Sequence, residues 1–122
     1  EAIVTLLLEN GANVNASSDF GQTALMMAVY RNYIDIIKKL LSYGADVNKQ
    51  TQRGWTALMD AARYKNKKDI VLLLLDYGAD TTLTNNSGMT AEQLARRCGS
   101  TEIADIIKEA GQFSFGLIPF PA

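Results

Sequence analysis

The sequence predicts an all-α solenoid, a row of short helix pairs stacked side by side. One phrase recurs along the chain. It reads Gly21-Gln-Thr-Ala-Leu-Met-Met-Ala-Val29, with Ile34-Asp-Ile-Ile-Lys-Lys-Leu-Leu41 and Gly44-Ala-Asp-Val-Asn48 behind it. It returns as Gly54-Trp-Thr-Ala-Leu-Met-Asp-Ala-Ala62 with Asp69-Ile-Val-Leu-Leu-Leu-Leu75 and Gly78-Ala-Asp80, and again, more diverged, from Gly88 to Ile107. The closing glycines Gly11, Gly44, Gly78 and Gly111 lie 33, 34 and 33 residues apart. A fixed period of this size marks a stacked repeat array. Within each unit the apolar residues fall at helical spacing, as Ile3, Leu6 and Leu7 do at i, i+3, i+4.

These words carry a family resemblance over residues 1 to about 111. Gly21-x-Thr23-Ala24-Leu25-Met26-x-Ala28 and Gly54-x-Thr56-Ala57-Leu58-Met59-x-Ala61-Ala62 resemble the opening Gly-x-Thr-Pro-Leu-His-x-Ala-Ala of an ankyrin repeat. Leu40-Leu41-x-x-Gly44-Ala45-Asp46-Val47-Asn48 resembles its ending. The resemblance implies stacked helix-turn-helix units with short hairpin arms. It divides the chain into a partial repeat (1–17), full repeats at 18–50 and 51–84, a C-terminal capping repeat (85–111) and an apolar, proline-containing tail (112–122).

Taken in order, residues 1–8 read as the second helix of a truncated repeat, ended by Gly11 in a left-handed cap. Residues 13–20 are the first arm, and Asp19-Phe20-Gly21 is a turn signal. Thr23 caps the next helix, which runs to Tyr30 with Leu25, Ala28 and Val29 inward. Ala24 and Ala28 are small enough to let neighbouring helices approach. Asn32 fits the break, and Ile34–Ser42 follows as the second helix. Asp35 in its first turn and Lys38 and Lys39 toward its end suit the helix dipole, and Ile36, Ile37, Leu40 and Leu41 form its buried face. The next repeat is one residue longer between its helices. The extra residue falls in Arg63-Tyr-Lys-Asn-Lys-Lys68 and reads as a loop insertion. Lys65, Lys67 and Lys68 there read as a solvated helix start or, alternatively, a contact for phosphate or an acidic partner. Glu92, Gln93, Arg96, Arg97, Lys108 and Glu109 make the last repeat polar, as a terminal repeat must be.

The tail breaks the pattern. Pro119 and Pro121 forbid a helix, while Phe113, Phe115, Leu117, Ile118 and Phe120 are costly to leave in water, at roughly 1.5–3 kcal/mol per large apolar side chain. The expectation is that Phe113–Phe120 docks as an extended peptide on an ankyrin surface of its own molecule or of a second copy, the latter giving self-association. The alternative is packing of Phe113 and Phe115 alone on the last helix pair.

Composition narrows the function. A chain of 122 residues is one domain's worth, and a net charge of −1 argues against a strongly basic nucleic-acid surface. The single cysteine, Cys98, precludes an internal disulfide and reads as a reduced intracellular thiol, so the cytoplasm or nucleus is expected. No apolar run reaches membrane-spanning length. The chain opens mid-repeat without a methionine, so a fragment of a longer protein is expected. It has no histidine, no Cys-x-x-Cys pair and neither glycine-rich phosphate motif. No catalysis and no cofactor or metal are expected.

What remains is surface. The resemblance implies protein or peptide binding through arm tips and the concave face of the first helices. Carried over residue by residue, this gives Asp19, Phe20, Gln22, Met27, Tyr30 and Arg31 in the first full repeat. The second gives Gln52, Arg53, Trp55, Asp60, Arg63 and Tyr64, and the third Ser87, Met89 and Arg97. Aromatic residues and arginines of this kind dominate binding hot spots. Trp55 and Tyr64 have an alternative use in packing on adjacent arms, and Arg31 and Arg53 as solvated charges. A structural spacer within a longer array, its binding site in repeats absent here, is the alternative function. Nucleic-acid or phospholipid contact through residues 63–68 is a weaker third.

Two further expectations rest on the resemblance. The family's histidine, which bonds the capping threonine, is replaced by Met26 and Met59, so Thr23 and Thr56 must cap without it. Leu40 with Asp46-Val47-Asn48 resembles the ankyrin substrate pattern of an asparaginyl hydroxylase, which makes Asn48 a candidate modification site; Leu7 with Asn13-Val14-Asn15 fits less well.

Overall fold

The computed structural model describes residues 2–112. The apolar tail, and with it the docking expected of Phe113–Phe120, lies outside the described residues. Among the described residues seven α-helices follow one another: α1 (Ala2–Glu9), α2 (Ala24–Tyr30), α3 (Ile34–Ser42), α4 (Ala57–Ala62), α5 (Lys68–Asp76), α6 (Ala91–Arg97) and α7 (Thr101–Gln112). Among the described residues there is no strand, only one antiparallel bridge, Ser17 to Thr23, at the base of an arm.

Each repeat from residue 18 onward folds for the same local reasons. A threonine starts the first helix: Thr23, Thr56 and Thr90 accept through Oγ1 from the backbone N–H three residues on, at 3.3, 3.1 and 3.3 Å. That satisfies a donor with no partner inside the helix. Gln93 returns the favour through Oε1, accepting from Thr90 N–H at 2.9 Å. Met26 does so more weakly through its sulfur, at 3.5 Å. The thioether thus takes up part of the histidine's role in the first full repeat. Asn32, at φ 61°, turns the chain sharply between α2 and α3.

Helix pairs pack α2 on α3, α4 on α5 and α6 on α7. Between repeats, the first helices form a closer layer (α2 on α4, α4 on α6) than the second helices do. Ala61 and Ala62 are fully buried in α4, and Ala95 in α6, so little side chain separates the backbones. First helices of six or seven residues stand against second helices of nine to twelve. A stack that is tighter on one side curves toward that side, which places the first helices and arms on the concave face. The core between the layers is Leu25, Val29, Ile37, Leu58, Met59, Ile70, Val71, Leu74, Ile103 and Ile107, all essentially inaccessible.

Two sequence expectations are corrected here, those for Ala24 and Lys67. Ala24 is exposed, unlike its counterparts Ala57 and Ala91. Those two each have the first helix of the preceding repeat against them, and α2 has none. Ile3, Leu6 and Leu7 share one face of α1, as their spacing predicts, and that face is 72, 59 and 55% exposed, while Leu8 makes the core contact. Leu40, at the position of Leu7 in the next repeat, is buried because α2 packs on its helix, whereas α1 has no such neighbour. Lys67 is neither a solvated helix start nor open to a phosphate. The extra residue of the second full repeat is absorbed by a single 3-10 turn, Lys65–Lys67, which directs Lys67 inward until it is 5% exposed. Its Nζ donates to Val29 O (2.8 Å), Tyr30 O (3.2 Å) and Asn32 Oδ1 (2.8 Å). A cation at the carbonyl end of α2 meets the outward-facing oxygens there and complements the helix dipole.

Arms are joined by a second set of bonds. Asn15 and Asn48 each reach the next repeat, Oδ1 accepting from Asp46 N–H (2.6 Å) and Asp80 N–H (2.7 Å). At the tips, Gln52 N–H donates to Phe20 O and Asn86 N–H to Arg53 O, both at 2.9 Å. Gly54 shows how close this approach is. Its φ is +80°, and an added Cβ would lie 2.8–2.9 Å from Asn85 and Asn86.

Two outcomes follow. Ala61→Leu should overpack the α2–α4–α6 layer and lower stability by about 1–3 kcal/mol, read from the urea midpoint. Lys67→Met should remove the donor shared by Val29 O, Tyr30 O and Asn32 Oδ1 and cost about 1–3 kcal/mol in the same assay, where a solvated lysine would change nothing.

Candidate functional site

The concave face holds a groove of ≈ 610 Å³ between the first two full repeats. Its parts come from three places. Phe20, Thr51, Gln52 and Arg53 stand on arm tips, held in register by the bonds between arms. Gln22, Trp55 and Thr56 enter at the starts of α2 and α4. Met26, Met27, Tyr30 and Arg31 line it along α2, with Asp60 and Arg63 along α4. The groove therefore gathers Phe20, Gln22, Met27, Tyr30, Arg31, Arg53, Trp55, Asp60 and Arg63 from the residues that the sequence marked, together with Gln52.

Tyr64, Met89 and Arg97 are not among its lining. Tyr64 stands behind Arg63, whose guanidinium carbon lies 5.4 Å from the Tyr64 ring centroid and 5.3 Å from that of Trp55. Met89 and Arg97 belong to the third repeat and touch each other, Arg97 Nη1 lying 3.6 Å from Met89 Sδ. Asp19 and Ser87 are exposed arm residues outside the groove. Met26, Thr51 and Thr56 were missed as lining residues. The first was read as the stand-in for a histidine and the last as a cap, and both roles also face the groove.

Chemically the groove is apolar with a cationic bias. Phe20, Met27 and Tyr30 are 68, 57 and 64% exposed, and Trp55 packs half-buried against the core. Arg63 lies within cation–π distance of the Trp55 and Tyr64 rings and 4.0 Å from Asp60. Burial pushes the Asp60 carboxyl above its ordinary value, a rise that the charges of Arg63 and Lys67 partly offset. Burial likewise lowers the Lys67 ammonium, against the attraction of Asp60. Arg31 and Arg53 are exposed and have no ion pair among the described residues.

The lysine cluster beside the groove is largely spent within the fold. Lys67 is caged as described, and Lys68 Nζ bonds Glu102 Oε2 at 2.7 Å. Asn48, the candidate for hydroxylation, uses its side-chain amide between repeats, Oδ1 on Asp80 N–H and Nδ2 3.4 Å from Gly78 O. Among the described residues no group of three or more Cys, Asp or Glu is placed to hold a metal ion, and no helix is long and apolar enough to cross a membrane.

Comparison with known proteins agrees with this architecture. The family model for ankyrin repeats, three copies in tandem, matches residues 1–85 and 50–114. The comparison with curated proteins gave no match.

The Asp60 carboxyl yields a pH test. The folded chain holds this proton more tightly than the unfolded chain does, so this group lowers stability as pH rises from 3.8 through its higher folded value. Asp60→Asn removes that slope. Its urea midpoint should gain on the wild type across this window and hold a constant lead above it. A difference independent of pH would contradict the burial argument.

Proposed function

Since the chain belongs to the ankyrin-repeat family, we propose that it is a non-catalytic recognition module that binds a partner protein or peptide in the groove between its first two full repeats. Ankyrin repeats are generally protein–protein interaction modules. The observation that supports this location is the combination of rigid and uncommitted groups. Trp55 packs half-buried against the core with the Arg63 guanidinium near its ring, whereas Phe20, Met27, Tyr30, Arg31 and Arg53 extend into solvent around them. Large exposed aromatic and arginine side chains beside a pre-formed concavity are the composition of a hot spot. Arm tips hydrogen-bonded to one another give that surface a fixed shape, which lowers the ordering cost of binding.

A second reading has its own observation. The apolar face of Ile3, Leu6 and Leu7 fits the stacking of a further helix pair, as in a longer array where this segment is a spacer. The two readings differ at the groove. Peptides selected on the chain from a displayed random library should lose about 2 kcal/mol or more of binding free energy on Trp55→Ala or Tyr30→Ala, by calorimetry. Tyr30 is exposed, so that variant should keep the wild-type urea midpoint. Selected peptides indifferent to both substitutions would favour the spacer.

A further inference from the structure

We propose that the groove takes an acidic peptide segment carrying one aromatic or long aliphatic anchor residue. The inference rests on reading the groove as the binding surface, and the charges within it say what would fit. Three arginines, Arg31, Arg53 and Arg63, line the groove with a single carboxylate, that of Asp60. The whole chain has a net charge of −1, so this is a local concentration of positive charge and not a generally basic surface. Arg63 is already committed to Asp60 and to the rings of Trp55 and Tyr64. Arg31 and Arg53 are exposed without an ion pair among the described residues and are the groups free to meet carboxylates.

The position of each charge shapes the segment. Asp60 sits beside Arg63 and repels a second carboxylate there. The side chain that enters beside it is therefore uncharged, and Met27, Tyr30 and Trp55 offer it apolar contact. Arg31 follows the last residue of α2, while Arg53 stands on the arm that leads into α4. The recognised pattern is thus an Asp or Glu on each side of a single apolar anchor, one for each arginine.

The test uses the full chain and a displayed random-peptide library, with synthetic copies of the enriched peptides for titration. The expected pool is enriched in Asp and Glu flanking an aromatic or long aliphatic residue. Its affinity should fall as salt is raised. Arg31→Glu and Arg53→Glu should each weaken binding on the order of tenfold, and Lys108→Glu, on α7, should not. Replacing one peptide acid by Lys should restore binding to the arginine variant that it faces. Unchanged thermal midpoints exclude misfolding as the cause. Binders that are lost on Trp55→Ala but show no acidic enrichment would overturn this inference and leave the groove as the binding surface. An absence of binders, or binders indifferent to every groove variant, would overturn both. A random-sequence RNA pool that binds the groove more tightly than the best peptide would overturn the inference by assigning another class of partner.

Discussion

Ala61 and Ala62 leave almost nothing between α4 and the first helices on either side, and the curvature of the molecule depends on that close approach. Bulk at these positions would push the first helices apart until they stood no closer than the second helices, and the stack would straighten. The groove exists because the stack does not straighten. Arms that leave a concave layer converge, which allows Gln52 to reach Phe20 and Asn86 to reach Arg53. Small side chains in the core thus determine the spacing of large ones at the surface.

That dependence also explains what could be read from the sequence. Leu25, Ala28 and Val29 were legible as inward residues because they pack within their own repeat and the next, and the repeat states its own period. The bounds of α3 followed from Asn32 and Gly44, whose positive φ fixes both breaks. Ala24 was not legible. Its burial depends on a neighbour on the N-terminal side, and no property of the residue reports whether one is present. Ile3, Leu6 and Leu7 are a different case, since helical spacing was enough to place them on one face.

At the groove, repeat register was enough to bring together residues as distant in sequence as Phe20 and Arg63. Register failed where the repeat departs from its own length. Tyr64 precedes the 3-10 turn and lies behind Arg63, where it supports the guanidinium and does not face the cavity. Lys67 was the larger surprise. A lysine among lysines reads as solvent-facing, and nothing local reveals that three oxygen acceptors of the preceding repeat await it. Long-range polar satisfaction of this kind has no period and leaves no pattern in the chain.

The inserted residue and Lys67 therefore form a matched pair with an evolutionary consequence. The longer connection presents the ammonium to α2, and the ammonium gives the longer connection its anchor. Asn32 joins them, because the left-handed bend there accompanies an amide oxygen within reach of Nζ. A lineage that deleted the extra residue would leave a buried lysine without its acceptors. One that changed the lysine first would leave a turn without its anchor. Either step alone passes through a less stable protein, so the length of this one connection is coupled in stability to a side chain, as that of a surface loop ordinarily is not.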